Sequence, residues 1–178
     1  PSTHRNGSCI LLEIPPQPDQ KQQQSSSSSS SPLVGILLDA AEGSVSQLYQ
    51  HCGGCVRAMD AVLLSLRVVW ISHSHADHLC GVPALLEAVY HARHRNKLNQ
   101  EQEGQNITVF APPGALEHYE YALAVAGLDH LVMLFDVART AFAGDSVLIS
   151  QASCGTVSHM LSVPVLHCRH SYGVVPTL

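Results

Sequence analysis

Four side chains of metal-binding type lie within six residues near the middle of the chain: His73, His75, Asp77 and His78. Imidazole nitrogens and carboxylate oxygens suit zinc and related divalent ions. Side chains two positions apart point the same way in an extended segment, so His73 and His75 are predicted to bind one ion together. A turn after them would direct Asp77 and His78 to a second ion. Two ions about 3.5–4 Å apart can hold the attacking and leaving oxygens of a displacement at phosphorus.

A further candidate ligand, His167, follows the apolar segment 163–166 late in the chain. A single histidine there is more often a core or surface residue than a ligand. The histidine loop 73–78 also follows an apolar strand, and this shared placement favours His167 as a third ligand. The alternative for the loop is a histidine-rich surface segment without metal. Four ligand-type residues behind a buried strand argue against it.

The composition limits the classes of function. The chain has 12 histidines but only nine lysines and arginines, and its formal net charge is −5. A broad basic surface for RNA is therefore not expected, because binding phosphates requires clustered cations. The six cysteines lack the dense spacing of a disulfide scaffold, which predicts a reducing, intracellular location. Cys52-Gly-Gly-Cys55 has no second cysteine pair at zinc-finger spacing, so we interpret it as two free thiols instead of a zinc-ribbon half or a redox motif.

The histidine loop must be positioned by the elements around it. Alternating apolar segments and helical spacing predict an α/β domain. The predicted strands are 9–14, 34–39, 68–71, 107–110, 131–135, 146–150, 156–161 and 163–168. The predicted helices are 44–51, 57–66, one that begins after Gly81 and ends within 91–95, and 115–126. No apolar run approaches the roughly 20 residues of a membrane span, so no membrane partner is expected.

Residues 15–32 interrupt this pattern with glutamines and an unbroken run of serines. Such a composition cannot bury apolar surface, which predicts a disordered, solvent-facing insertion between the first two strands. The chain of 178 residues is otherwise expected to form one partial domain. Its first and last residues indicate a segment of a longer protein, truncated before the domain is complete.

Several motifs together resemble a known family. The segment from His73 to Gly81 is similar to the signature of metallo-β-lactamase-fold hydrolases. Three flanking segments resemble eukaryotic ribonuclease Z: Pro1-Ser2-Thr3-His4-Arg5-Asn6, the stretch from Leu37 to Ser44, and His167-Cys168-Arg169-His170-Ser171-Tyr172-Gly173. The resemblance therefore extends from the first residue nearly to the last. It implies the N-terminal portion of a metallo-β-lactamase fold, an αββα sandwich.

The resemblance also implies a function, namely zinc-dependent removal of the 3′ trailer from precursor tRNA with two zinc ions. Carried over by position, His73, His75 and His167 would bind one zinc, and Asp77 and His78 the other. Asp77 would also accept a proton. Arg5 and Asn6 would belong to a loop on the substrate side. Asp39 and Glu42 would shape the loops behind the ligands, although an exposed turn explains both equally well.

Departures from the family pattern leave alternatives open. Thr3 stands where the family has lysine, and Ala41 stands where it has glycine. The bridging aspartate and late histidines of the family have no counterpart, so the remaining half of the same protein would have to supply them. This fragment is expected to be inactive alone. The alternatives are another hydrolase or phosphodiesterase of the same fold, or a non-catalytic copy that binds at most a metal or a partner.

Overall fold

A computed structural model describes residues 8–15, 33–97, 105–140, 153 and 157–177. Seven strands and five α-helices lie in this part of the chain, together with two short 3-10 turns. The strands are β1 (Ile10–Ile14), β2 (Val34–Leu38), β3 (Leu66–Trp70), β4 (Ile107–Ala111), β5 (Val132–Asp136), β6 (His159–Pro164) and β7 (Tyr172–Thr177). The helices are α1 (Ser44–His51), α2 (Val56–Ser65), α3 (Ala76–Leu79), α4 (Val82–Arg95) and α5 (Pro113–Ala126).

The main sheet has five strands in the order β1-β2-β3-β4-β5. β1 pairs antiparallel with β2, and the remaining neighbours are parallel. Strands β3 and β4 are buried on both faces and consist almost entirely of apolar residues, because helices cover one face and the β6–β7 hairpin covers the other. The loops that leave β2 and β3 therefore emerge side by side at one edge of the sheet.

The helices cover one face of this sheet, where strand residues such as Leu37 and Val69 pack against Leu85, Leu86 and Tyr119. α4 has a proline in its first turn and three basic residues in its last turn, as suits the ends of a helix. α5 ends at Gly127, whose φ of 68° is the left-handed conformation that glycine adopts without strain. This layer forms the larger of two apolar clusters.

The hairpin of β6 and β7 covers the opposite face of the sheet. Met160 packs there against Trp70 and Phe110, which point away from the helices. The Trp70 indole nitrogen donates a hydrogen bond to the Ser162 hydroxyl at 3.0 Å. The backbone amide of Tyr172 donates to the carbonyl of Ser72, also at 3.0 Å. The hairpin is thereby joined to the segment that leaves β3.

The α/β class is confirmed, as are the main-sheet strands and four long helices to within two residues at nearly every end. The prediction of two late strands at 156–161 and 163–168 is wrong. β6 continues to Pro164, residues 165–171 form a turn, and β7 follows. The apolar residues after Pro164 lie exposed in that turn, so their hydrophobicity did not indicate a strand. The predicted strand 146–150 and residues 16–32 of the predicted insertion 15–32 lie outside the described residues.

Within the described ranges, no helix is long and apolar enough to cross a membrane. The cysteines described there, among them Cys52 and Cys55, are free thiols. The two form the ends of the turn between α1 and α2, and the Cys55 amide donates to the Cys52 carbonyl at 3.1 Å.

Candidate metal centre

Three segments meet at the carboxyl edge of the main sheet. Asp39 follows β2, the histidine loop 73–78 follows β3, and the turn 165–171 lies between β6 and β7. Ligand sites of parallel α/β sheets occur at this edge because the loops after neighbouring strands converge there. The turn 165–171 is held beside the histidine loop by a hydrogen bond. The amide of Tyr172, just after the turn, donates to the carbonyl of Ser72, just before the loop.

Four potential ligands form a compact group, which we call the His/Cys cluster: His73, His75, His167 and Cys168. One ligand atom from each lies within 4.8 Å of the other three. His73 Nε2 and His75 Nδ1 are 3.0 Å apart. The ring centroid of His167 lies 4.8 Å from that of His73 and 5.1 Å from that of His75. This set of donors fits a divalent metal ion of the zinc type.

His73 is the buried member of the cluster, with 6% of its surface exposed. Burial lowers its pKa, and the nearby rings of His78, His75 and His167 lower it further, against the opposing charge of Asp39. A lowered pKa keeps the imidazole neutral at neutral pH, as a metal ligand requires. Its Nδ1 lies 2.8 Å from the Ser72 hydroxyl, which leaves Nε2 directed to His75.

Asp77 and His78 lie beside the cluster but are not members of it. The short helix α3 begins at Ala76, so Asp77 no longer follows the alternation of the extended residues before it. Its carboxylate is 70% exposed and lies 3.8 Å from His78 Nε2. The ring centroids of His78 and His73 are 4.1 Å apart. The two residues are thus placed side by side, adjacent to the first group of ligands.

Asp39 fixes the orientation of His78. Its carboxylate lies 2.8 Å from His78 Nδ1 and accepts hydrogen bonds from the Ser72 amide at 2.7 Å and the Ser72 hydroxyl at 2.9 Å. With Nδ1 held in this way, Nε2 lies 3.5 Å from the Ser8 hydroxyl and 3.8 Å from the Asp77 carboxylate. Metal-binding histidines are commonly oriented through their second ring nitrogen in this manner. Asp39 has a φ of 59°, a left-handed conformation that aspartate tolerates better than most residues.

Among the other predicted site residues, Glu42 is described and is not brought to this position. Glu42 lies exposed in the turn before α1. Arg5 and Asn6 lie outside the described residues. Asp39 thus contacts the loop after β3, whereas no described contact of the Glu42 side chain reaches that loop.

Gly81 allows two loops to approach closely behind the histidines. Its amide donates to the Ala40 carbonyl at 2.7 Å, and the Ala40 amide donates to the His78 carbonyl at 2.7 Å. A β-carbon at Gly81 would overlap the Ala41 carbonyl oxygen and lie 2.7 Å from its carbon. Glycine is required here because a side chain has no space. Its backbone conformation is not the reason, since a φ of −83° is open to other residues. Tyr119 supports the same region by donating from its buried hydroxyl to the Leu79 carbonyl at 2.9 Å.

Sequence reasoning did not assign Cys168 to the ligand group. The residue is of ligand type and follows His167, but adjacent residues in a strand, as predicted there, point to opposite sides. The turn 165–171 removes that alternation and brings both side chains into one group. Ser72 and Gly81 were likewise not singled out, because their roles depend on contacts with the loop after β2.

No protein-family model matches the chain. Human zinc phosphodiesterase ELAC protein 2 is 46% identical over 56 residues, which cover 32% of this chain and 6% of that protein. Ribonuclease Z 1 of Schizosaccharomyces pombe is 28% identical over 180 aligned positions, covering 97% of this chain and 20% of that protein. The crystal structure of a long-form RNase Z from yeast aligns with a TM-score of 0.73 at 17% identity, over 96% of this chain and 24% of that one.

These comparisons confirm the resemblance to ribonuclease Z that the motifs indicate. The structural alignment shows that the chain has the fold of part of a long-form RNase Z, the metallo-β-lactamase fold expected from the sequence. The chain spans only 6% and 20% of the length of the two curated relatives.

Proposed function

We propose that this chain carries the first part of the active site of a zinc-dependent endoribonuclease that removes the 3′ trailer from precursor tRNA. The observation that carries the proposal is the convergence of His73, His75 and His167 from two distant segments at one edge of a ribonuclease Z fold. Because the chain spans at most a fifth of these curated relatives, we infer that the active protein is longer. The remaining ligands and the contacts to tRNA would come from its other part.

The three histidines would hold the first zinc ion. The cluster meets the requirements of such a site, since its nitrogens are close together, one ring is buried and kept neutral, and the others are open to solvent. His73 and His75 already approach to 3.0 Å, a separation that leaves both nitrogens able to face one ion. His167 approaches from the hairpin side and closes the group.

Asp77 and His78 would hold the second zinc ion. Asp39 orients the His78 ring so that Nε2 faces Asp77. Zinc ions bound at such a site would polarise the phosphate and lower the pKa of water. Asp77 lies at the exposed side of the pair, where its carboxylate can orient the attacking water and accept its proton.

The proposal is tested with Asp77→Ala in the longer protein. We expect trailer removal from a precursor tRNA to fall by about 10³-fold or more, because a ligand and the proton acceptor are lost together. Binding of the precursor should change little, since affinity for RNA depends mainly on phosphate contacts elsewhere. Asp129→Ala, which removes an exposed aspartate from the 3-10 turn before β5, is the matched control and should retain activity.

The same assay separates the alternatives. Near-normal cleavage by the Asp77 variant would exclude the proposed role of this residue. A longer protein that hydrolyses a simple phosphodiester but leaves precursor tRNA intact would indicate another hydrolase of the same fold. Binding of zinc without hydrolysis of either substrate would indicate a non-catalytic copy.

A further inference from the structure

Two free thiols that the proposed function does not use lie at the two ends of the turn between α1 and α2. Cys52 follows the last residue of α1, and Cys55 immediately precedes the first residue of α2. Neither belongs to the His/Cys cluster. The spacing of the pair along the sequence indicated only free thiols, and the structure adds the geometry of the turn that joins them.

The turn brings the two cysteines close together. The Cys55 amide donates to the Cys52 carbonyl at 3.1 Å, which closes a four-residue β-turn. Such a turn keeps its first and last Cα atoms within about 7 Å, and disulfides usually join Cα atoms about 4.4–6.8 Å apart. Gly53 and Gly54 have φ of 64° and 73°, positive values that glycine adopts without strain. The backbone therefore places the two thiols within the range of a disulfide.

The two thiols differ in their surroundings. Cys52 packs partly against the larger apolar cluster, and burial raises its pKa, as do the charges of Glu13 and Cys55. Cys52 therefore holds its proton at neutral pH. Cys55 is exposed at the N-terminus of the ten-residue helix α2, an end that favours negative charge. A disulfide in solution should therefore react with Cys55 first and with Cys52 second.

We propose that Cys52 and Cys55 form a reversible redox site that exchanges with small-molecule disulfides such as glutathione disulfide. The Cys55 thiolate attacks one sulfur of glutathione disulfide, the sulfur–sulfur bond of that molecule breaks, and one glutathione thiolate leaves. The Cys52 thiolate then attacks the Cys55 sulfur and releases the second glutathione. Two protein thiols are thereby oxidised and one disulfide is reduced, and the two thiol protons end on the two glutathione molecules. The new bond ties the end of α1 to the start of α2.

The inference is tested by incubating the full 178-residue chain with mixtures of reduced and oxidised glutathione and then alkylating the remaining thiols. Trypsin releases residues 22–57 as one peptide, whose only cysteines are Cys52 and Cys55. Oxidation should remove both alkyl labels from this peptide without adding glutathione, and dithiothreitol should restore them. A peptide that keeps both labels, or that carries glutathione in place of an internal bond, would overturn the inference.

The contribution of the turn is measured by repeating this titration in guanidinium chloride. Because the folded turn already holds the two cysteines together, the equilibrium constant for the internal disulfide should be about 10-fold larger in the folded chain, or more. Equal constants in the folded and denatured chains would show that spacing along the sequence accounts for the bond, which contradicts the role of the turn.

Single substitutions test the order of attack. Cys55 in the Cys52→Ser variant should be alkylated about 10-fold faster than Cys52 in the Cys55→Ser variant, because Cys55 is exposed at the helix end. The reverse order would overturn the assignment of the attacking thiol. Cys80→Ser, which removes another exposed thiol, is the matched control and should form the disulfide in peptide 22–57 as before. Circular dichroism of each variant verifies that the fold is retained.

Co²⁺, a coloured substitute for Zn²⁺, separates this redox site from the metal centre. The cobalt spectrum should be the same for the unchanged chain and for Cys52→Ser, because Cys52 lies outside the His/Cys cluster. A thiolate-to-cobalt band that disappears in Cys52→Ser would show that the pair binds metal instead, and would overturn the inference.

Discussion

The His/Cys cluster and the Asp77–His78 pair lie side by side, but different parts of the fold position them. The pair is oriented within the main sheet, by Asp39 at the end of β2 and by backbone bonds between the loops after β2 and β3. The cluster also needs the turn 165–171, which reaches it only because the hairpin of β6 and β7 packs on the sheet. Damage to the hairpin should therefore affect the cluster alone, whereas damage behind the loop should affect both.

The largest effect is expected from Gly81→Ala. This substitution should disturb both the His/Cys cluster and the Asp77–His78 pair, because it pushes apart the loops after β2 and β3 that lie behind both. The new methyl group would overlap the Ala41 carbonyl, and all three of its close neighbours are backbone atoms of Ala40 and Ala41 that cannot move aside. We expect a loss of about 3 kcal/mol or more in unfolding free energy, or failure to fold. Thermal or denaturant unfolding provides the measurement.

Gly114→Ala is the matched control for this substitution. Gly114 lies in the first turn of α5, and an added β-carbon there would meet only the Ser74 hydroxyl at 3.8 Å. Its stability should be unchanged or slightly higher, because alanine restricts the unfolded chain. Equal stability of the two variants would show that the close approach at Gly81 is not required.

Asp39→Asn should disrupt the pair more than the cluster. Asparagine tolerates the left-handed backbone of this position but removes the charge that holds Ser72 and His78. Loss of charge-assisted hydrogen bonds is expected to cost about 1.5–3 kcal/mol. NMR of the histidine rings should show a changed tautomer or mobility for His78 and a smaller change for His75. An unaltered His78 signal would contradict its orientation by Asp39.

Ser162→Ala should have the converse effect. It leaves the buried Trp70 indole N–H without its acceptor in the hairpin, which costs about 1–3 kcal/mol. Affinity for Co²⁺ at the cluster should fall, while the His78 signals remain as in the unchanged chain. Ser158→Ala, on the exposed side of the segment before β6, is the control. Equal losses in both regions would show that they are not positioned separately.

The smallest effect is a pH dependence that should leave both regions unchanged. Arg95 donates hydrogen bonds to the buried Asp60 carboxylate, joining α4 to α2, and holds its pKa below the ordinary value of 3.8. A lowered folded-state pKa stabilises the protein above that ordinary value, and the stabilisation is lost as pH falls through the folded-state pKa. Asp60→Asn should therefore be less stable near neutral pH and show a weaker loss of stability in acid.

Acid unfolding measured by circular dichroism tests this prediction. The unchanged chain and Asp60→Asn should converge in stability as the pH drops below about 4. Parallel curves across the acid range would show that Asp60 does not contribute through its charge. Co²⁺ spectra at neutral pH should be the same for both chains. Asp60, on α2, contacts Arg95 at the last turn of α4, and the histidine loop lies near the first turn of that helix.

Local patterns in the sequence were enough for the main sheet and its helices. β3 was predictable because a short apolar run ends in polar residues, and α1 because its helical spacing follows a glycine turn. The late hairpin was not predictable in detail. Its turn carries exposed apolar residues such as Val165 and Leu166, so hydrophobicity extended the predicted strand too far.

The sequence by itself determined which residues could act as metal ligands, since His73, His75, Asp77 and His78 are close together along the chain. It also placed them after a strand, where an α/β sheet exposes its loops. Only the tertiary structure decided how these residues are grouped. Asp39 meets His78 across 39 positions, and Cys168 joins His73 from a turn more than 90 positions away. Such contacts depend on sheet order and on the packing of the hairpin, which local spacing does not encode.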